Sequence, residues 1–149
     1  MDIEDDLLNA WSTETAPPRD QIASHQCEEC FEITAFFGGR PWTDFTDVQT
    51  LRYHECALAL FTPVAFHYYL PAFMHATLAD PIGADVIADS VVSSIRQEFG
   101  PADRDRLRLF TPAQRAVVSR FLLALPTVRQ CDAEELEELE TLAELLGKA

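Results

Sequence analysis

Residues 60–74 read LFTPVAFHYYLPAFM, and this stretch gives the clearest indication of the fold class. Thr62 is a favourable N-cap and Pro63 suits the first helical position, so we expect a helix to begin there. The apolar residues that follow recur at helical spacing. Pro71 stands inside this helix, where a proline removes a backbone hydrogen bond. We therefore expect the helix to end or kink at Pro71.

The same four-residue pattern occurs twice in the chain. Leu60–Pro63 recurs as Leu109–Pro112, and in both places Leu-Phe anchors a corner while Thr-Pro begins the next helix. Two interpretations stay open: duplication of a helical hairpin, or independent use of a favourable helix start. The second helix is predicted to end before Pro126.

Helical periodicity extends over most of the remaining chain. No Asn-Gly or Asp-Gly hairpin turn interrupts it. The sequence therefore predicts an all-α protein, a compact bundle of about six to seven short helices forming a single domain over residues 1–149. The further predicted helices cover residues 3–11, 27–37, 47–60, 84–96 and 133–146.

Acidic residues are concentrated at the two ends of a chain whose net charge is −14. Residues 1–20 form an acidic N-terminal helix and linker, and residues 132–149 an acidic amphipathic helix. The one local basic cluster, Arg104, Arg106 and Arg108, is interleaved with aspartates, which disfavours nucleic-acid binding. An acidic surface instead favours a basic protein partner.

The sequence also limits where the protein acts. No apolar stretch is long enough to span a membrane, and the first residues are acidic where a secretory signal would be basic. We therefore expect a cytoplasmic protein without a membrane partner. The leucine stripe of helix 133–146 predicts either docking onto the chain's own core or a homodimer through this helix.

Cysteine and histidine spacing suggests a zinc site. Cys27 and Cys30 form a C-x₂-C half-site, and His25 lies beside them. Cys56 would complete four ligands, with His54 as its substitute. On a helix these two would point apart, so only one could join. The alternatives are free thiols or a redox pair, although a thioredoxin-like pair would need a preceding strand.

An aromatic run follows the first Thr-Pro pair and has two interpretations. It forms either a groove for a peptide or small ligand, or a core stripe around Pro71. The serines lack a Gly-x-Ser-x-Gly elbow, so no catalytic residue is predicted. The side chains of the predicted groove are Phe66, His67, Tyr68, Tyr69 and Phe73.

Residues 51–74, LRYHECALALFTPVAFHYYLPAFM, carry a family resemblance. With Gly39–Trp42 upstream and Leu109–Arg115 downstream, they resemble an uncharacterised family of small bacterial proteins, a domain of unknown function. The resemblance covers residues 36–125. It implies a bacterial, cytosolic protein and no particular activity or catalytic residue.

These observations together lead to two functional expectations. The first is a small cytosolic protein-interaction or regulatory protein, of the immunity or adaptor type, that binds a basic partner. The second is a zinc-binding protein or metal-dependent enzyme that uses the Cys27/Cys30 site, with Zn²⁺ as the only cofactor predicted.

Overall fold

The computed structural model describes residues 2–45 and 47–148, and within them the fold is an all-α bundle without a β-strand. The predicted fold class is confirmed. Met1, Thr46 and Ala149, which belong to the predicted N-terminal segment, a loop and the C-terminal segment, lie outside the described residues. The helices are α1 Ile3–Ala10, α2 Glu28–Phe37, α3 Val48–Tyr53, α4 Ala57–Leu60, α5 Pro63–Ala79, α6 Pro81–Ala84, α7 Val86–Glu98, α8 Pro112–Val128 and α9 Ala133–Lys148.

Helix α5 lies at the centre of the bundle. Every residue from Ala65 to Met74 is buried, because α1, α3, α6 and α7 all pack around this helix. It begins as the sequence predicts, with the Thr62 hydroxyl accepting a hydrogen bond from the Ala65 N–H at 3.1 Å. A helix that is apolar on all sides in this way is a core element.

The expected end of the helix at Pro71 is wrong, since α5 continues to Ala79. Pro71 has no N–H to donate to the carbonyl of His67, four residues earlier. That carbonyl instead accepts a hydrogen bond from the Trp11 indole N–H at 2.9 Å, in a buried position. A side chain of α1 therefore supplies the hydrogen bond that the proline cannot make.

The predicted helix 47–60 is also wrong, because it consists of two helices. Helix α3 ends at Tyr53, residues 54–56 form a turn, and α4 begins at Ala57. Arginine side chains from a distant loop cover the end of α4. Arg104 donates hydrogen bonds to the carbonyls of Ala59 and Phe61.

A buried ion pair holds the same corner. Arg106 and Glu98 are both almost inaccessible, and the Arg106 Nε lies 3.0 Å from a Glu98 carboxylate oxygen. Arg106 also donates to the Leu58 carbonyl at 2.5 Å and lies over the ring of Phe66. Arg108 donates to the Asp105 carbonyl at 3.1 Å, so all three arginines in the basic cluster are bound to the chain's own carbonyl or carboxylate groups.

Helices α1, α8 and α9 form an outer layer with α8 in the middle. Helix α8 runs through Pro126 to Val128, beyond its predicted end. The leucine stripe of α9 packs inward, with Leu139, Leu142 and Leu146 buried. Docking within the chain therefore buries these three leucines, whereas Leu136 of the same stripe is 37% exposed. None of the described helices has both the length and the apolar character needed to cross a membrane.

Candidate functional site

The two cysteines of the predicted zinc half-site lie at the start of α2. Cys27 is the N-cap residue, with extended φ and ψ of −114° and 170°. Its sulfur accepts a hydrogen bond from the Cys30 N–H at 3.4 Å. Cys27 is exposed and Cys30 is buried, and both are free thiols. The structure therefore brings this pair together but in two different environments.

These environments shift the two thiol pKa values in opposite directions. A hydrogen bond from the Cys30 side chain, followed by the one from its N–H, lowers the pKa of Cys27. Burial raises the pKa of Cys30, and its side-chain hydrogen bond to Cys27 raises it further. The exposed sulfur is therefore the one that more readily becomes a thiolate.

The downstream half of the predicted zinc site lies in a separate pocket. His54 and Cys56 line a pocket of about 250 Å³ together with Glu29, Glu32 and Ile33 of α2. Residues 54–56 form a turn, so both side chains face this pocket. On the helix that the sequence predicted here, the two side chains would have pointed apart. The His54 ring stacks on Phe36, whose ring centroid lies 4.2 Å away.

Burial in this pocket lowers the pKa of His54, while the charge of Glu32 opposes the shift. His25 is exposed, in the segment before α2. Over residues 2–45 and 47–148, no group of three or more His, Cys, Asp or Glu side chains is arranged to hold a metal ion. The structure thus assembles a two-sulfur half-site, whereas zinc needs four ligands.

The predicted aromatic groove is not present on the surface. Its polar members are buried, and burial raises the pKa of Tyr68 and of Tyr69. The core-stripe interpretation therefore describes these residues, because α5 is surrounded by other helices. The groove interpretation is therefore corrected for five residues: Phe66, His67, Tyr68, Tyr69 and Phe73.

The three stretches that carry the family resemblance meet in this core. The Trp42 N–H donates to the Tyr68 hydroxyl at 3.2 Å, and Tyr69 donates to two carbonyls of the same upstream segment. His67 Nε2 lies 2.8 Å from the Gln114 side-chain oxygen. These residues hold distant parts of the chain together, and buried hydrogen bonds of this kind specify a packing arrangement.

A serine-lined cleft of about 360 Å³ lies between α4 and α7. Ser90, Ser93 and Ser94 line it together with Cys56, and no histidine is among the described lining residues. Nucleophilic catalysis needs a base within hydrogen-bonding distance of the nucleophile. Glu55 and Asp89 also line the cleft, but Asp89 accepts a hydrogen bond from Arg129, and none joins either carboxylate to these serines among the described contacts.

The exposed face of α9 carries a row of carboxylates. Glu134, Glu137 and Glu140 point to solvent, and no ion pair joins them to a described basic side chain. The inner edge of the helix is different, because Glu138 accepts two hydrogen bonds from Arg96 at 2.7 Å. The negative charge of the outer row therefore remains available to an external cation.

A groove of about 560 Å³ separates α1 from α8 in the same outer layer. Ala113, Ala116 and Val117 form its apolar part, and an ion pair between Asp6 and Arg120 joins the two helices. Sequence analysis identified the acidic segments at both ends of the chain, but it did not identify α8 as the helix against which both pack. The sequence signal for the groove was the pair of alanines three residues apart on α8, at helical spacing.

Comparison with known proteins gives one family match. The model of the Family of unknown function (DUF6714) matches residues 32–144. No curated protein and no solved structure matches the chain significantly. The predicted resemblance to a domain of unknown function is confirmed, over a longer part of the chain than the motifs indicated.

Proposed function

The chain belongs to this family of unknown function, and from its own surface we propose that it is a small cytoplasmic protein-interaction protein, of a regulatory or adaptor type, that binds a basic partner. The observation that carries the proposal is the row of carboxylates on the outer face of α9. Glu134, Glu137 and Glu140 have no intramolecular cation among the described residues.

The distribution of basic side chains supports this proposal. Arg104, Arg106 and Arg115 donate to backbone carbonyls of the chain itself. Arg96 and Arg129 are paired with carboxylates on the inner edge of α9. Because these cations are already engaged, the excess acidic charge is left on the outside. An uncompensated charge of one sign steers a partner of the opposite sign.

The groove between α1 and α8 supports a partner with an apolar face as well. Alanines of α8 line it, and each of the three outer helices has one partly exposed leucine. Leu8, Leu123 and Leu136 are 45%, 51% and 37% exposed. The chemistry that fits both features is an amphipathic helix with lysine or arginine on one side, laid along the outer layer.

Site-specific photo-crosslinking tests the proposal. A photoreactive amino acid replaces Ala116 in the full chain, and a second chain carries it at Ile82, which is 92% exposed on α6, outside the layer. We expect the first chain to capture a basic protein in lysate of its source cells and the second not to. Capture of acidic proteins, or equal capture at both positions, would contradict the proposal.

The captured protein is then purified, and its affinity is measured against two charge variants. Replacing Glu134, Glu137 and Glu140 with glutamine should weaken binding by about tenfold or more, with reduced dependence on salt. The matched control is Asp20→Asn with Glu28→Gln and Glu55→Gln, three exposed acids outside the layer. Equal losses in both variants would indicate unspecific attraction and would contradict a defined surface.

A further inference from the structure

We propose that Cys27 and Cys30 form a reversible dithiol–disulfide pair that reacts with low-molecular-weight disulfides of the glutathione type. This site is separate from the outer helical layer. It follows from the placement of both cysteines in the first turn of α2, where the Cys27 sulfur accepts a hydrogen bond from the Cys30 N–H, together with the difference in their exposure.

The first turn of α2 positions both sulfurs. Cys27 is the N-cap and Cys30 follows three residues later, so both side chains lie on the same side of the helix start. The Cys27 sulfur accepts a hydrogen bond from the Cys30 N–H at 3.4 Å, so it lies beside the backbone of the residue that carries the second thiol. A bond between the two sulfurs therefore closes a loop within one helical turn.

The exposure of the two residues assigns their roles. Cys27 is exposed, whereas Cys30 is 1% exposed. A disulfide from solution can therefore reach Cys27 and not Cys30. Cys30 follows Cys27 in the same helical turn and is closed to solvent, so Cys30 reacts after Cys27 has reacted.

The electrostatics of the helix start agree with this order. The hydrogen bonds from Cys30 lower the pKa of the Cys27 thiol, and the positive end of the helix dipole acts in the same direction. The neighbouring carboxylate of Glu29 opposes the shift. Glu28 and His25 are the other titratable groups on this segment. Burial raises the pKa of the Cys30 thiol.

The reaction balances in two exchange steps. The Cys27 thiolate attacks one sulfur of the external disulfide, which forms a mixed disulfide and expels one thiolate. Cys30 then loses its proton and attacks the Cys27 sulfur, which forms the Cys27–Cys30 bond and expels the second thiolate. The protein loses two electrons and two protons, and the external disulfide becomes two thiols.

The other two cysteines lack these features. Cys56 is exposed and lines the pocket that contains His54. Cys131 is partly buried, and its thiol lies 3.9 Å from the Arg129 carbonyl oxygen. Neither has a second sulfur as a described contact. They therefore serve as internal controls for ordinary thiol reactivity.

The test uses the full chain with Cys56→Ser and Cys131→Ser, so that only the pair remains. It is incubated with glutathione disulfide, and its intact mass is measured. We expect the loss of two hydrogen atoms with no stable adduct. Adding Cys30→Ala should instead trap one glutathione on Cys27, and adding Cys27→Ala should leave Cys30 unmodified. A chain with Cys56 as its only cysteine should react several-fold more slowly than one with only Cys27.

Far-UV circular dichroism confirms that each variant is folded. If Cys30→Ala unfolds, the comparison between the pair-only chain and its Cys27→Ala variant decides the question, since only the former should lose two hydrogens. Persistence of two free thiols over the full range of glutathione redox buffers would overturn the proposal. Equal reactivity of Cys27 and Cys56, or stoichiometric zinc that blocks oxidation, would overturn it as well.

Discussion

The two Leu-Phe-Thr-Pro corners, residues 60–63 and 109–112, have the same backbone geometry but different neighbours. Thr62 has φ and ψ of −62° and 164°, and Thr111 has −70° and 161°. Each is followed by proline and by a 17-residue helix. The first of these helices is buried on all sides, whereas the second lies in the outer layer with one face in solvent.

The two corners are also held in place by different interactions. The first is held from outside, by the Arg104 side chain on the Phe61 carbonyl and by the Thr62 hydroxyl, which donates to the Gln21 carbonyl at 2.6 Å. The second has a capping box within its own helix, formed by Thr111 and Gln114, and the Gln114 side chain also bonds His67 and the Ala10 carbonyl. The four-residue motif therefore sets where a helix begins, while distant contacts decide whether the helix becomes core or surface.

Breaking the buried ion pair beside the first corner should have the largest effect. Glu98→Gln leaves the Arg106 guanidinium charged, buried and without its anion, which typically costs about 3–5 kcal/mol. Urea unfolding followed by circular dichroism measures the loss. Glu138→Gln is the control, because its partner Arg96 is half exposed and such pairs contribute about 1 kcal/mol or less. Similar losses for both variants would mean that the first corner does not depend on Arg106.

Gln114→Ala should have the next largest effect, at the second corner. It removes the partner of His67 Nε2, of the Thr111 N–H and of the Ala10 carbonyl. Leaving a buried polar group unsatisfied costs about 1–3 kcal/mol. The same unfolding measurement applies, with the exposed Gln49→Ala as control. A loss no greater than that of the control would show that neither the capping box nor the contacts of Gln114 with His67 and Ala10 stabilise the second corner.

The two N-caps should differ in a smaller but informative way. Thr62→Ala and Thr111→Ala each remove a cap, and such losses lie between about 0.5 and 2 kcal/mol. Thr62 also donates to the Gln21 carbonyl, so its loss should lie near the upper end. At the second corner Gln114 still accepts the Thr111 N–H, so the loss there should be smaller. Equal losses of stability for the two variants in thermal unfolding would contradict the expected difference between the two caps.

The smallest expected effect is a pH dependence from the turn before the first corner. Burial against Phe36 lowers the pKa of His54 below its ordinary value of 6.5. At pH values between the folded pKa of His54 and 6.5, the unfolded chain binds more protons than the folded chain. His54 therefore favours the folded state above pH 6.5, and this contribution is lost as pH falls through the folded pKa. Titration by nuclear magnetic resonance, with His54→Gln for assignment, should give a value below 6.5. A value above it would contradict the stacked geometry.

Local chemistry was enough to predict much of the fold. Thr62 and Thr111 begin helices where the sequence indicates, because capping depends on neighbouring residues only. The prediction failed where remote groups intervene. Helix α5 continues through Pro71, and the His67 carbonyl that the proline leaves without a helical donor accepts a hydrogen bond from Trp11, 56 residues earlier in the chain than His67. Helical periodicity carries no information about such partners.

The candidate sites were predictable to the same extent: contacts within one helical turn could be predicted, and contacts between distant segments could not. The contact between Cys27 and Cys30 could be predicted, since both belong to one helical turn. The positions of His54 and Cys56 could not, because the prediction assumed a helix across the turn that separates α3 from α4. The sequence left open whether the aromatic residues of α5 form a groove or a core stripe, because periodicity within one helix does not show that four other helices cover it.

The hydrogen bond between Trp11 and the carbonyl left open by Pro71 makes the indole proton a natural reporter of α1 docking. When α1 lifts away from the bundle, that proton becomes free to exchange with deuterated solvent, even while the remaining helices stay folded. Since α1 forms one wall of the groove, the exchange rate also measures how often the groove is disassembled. A partner that binds only the assembled groove must slow this exchange in proportion to its occupancy.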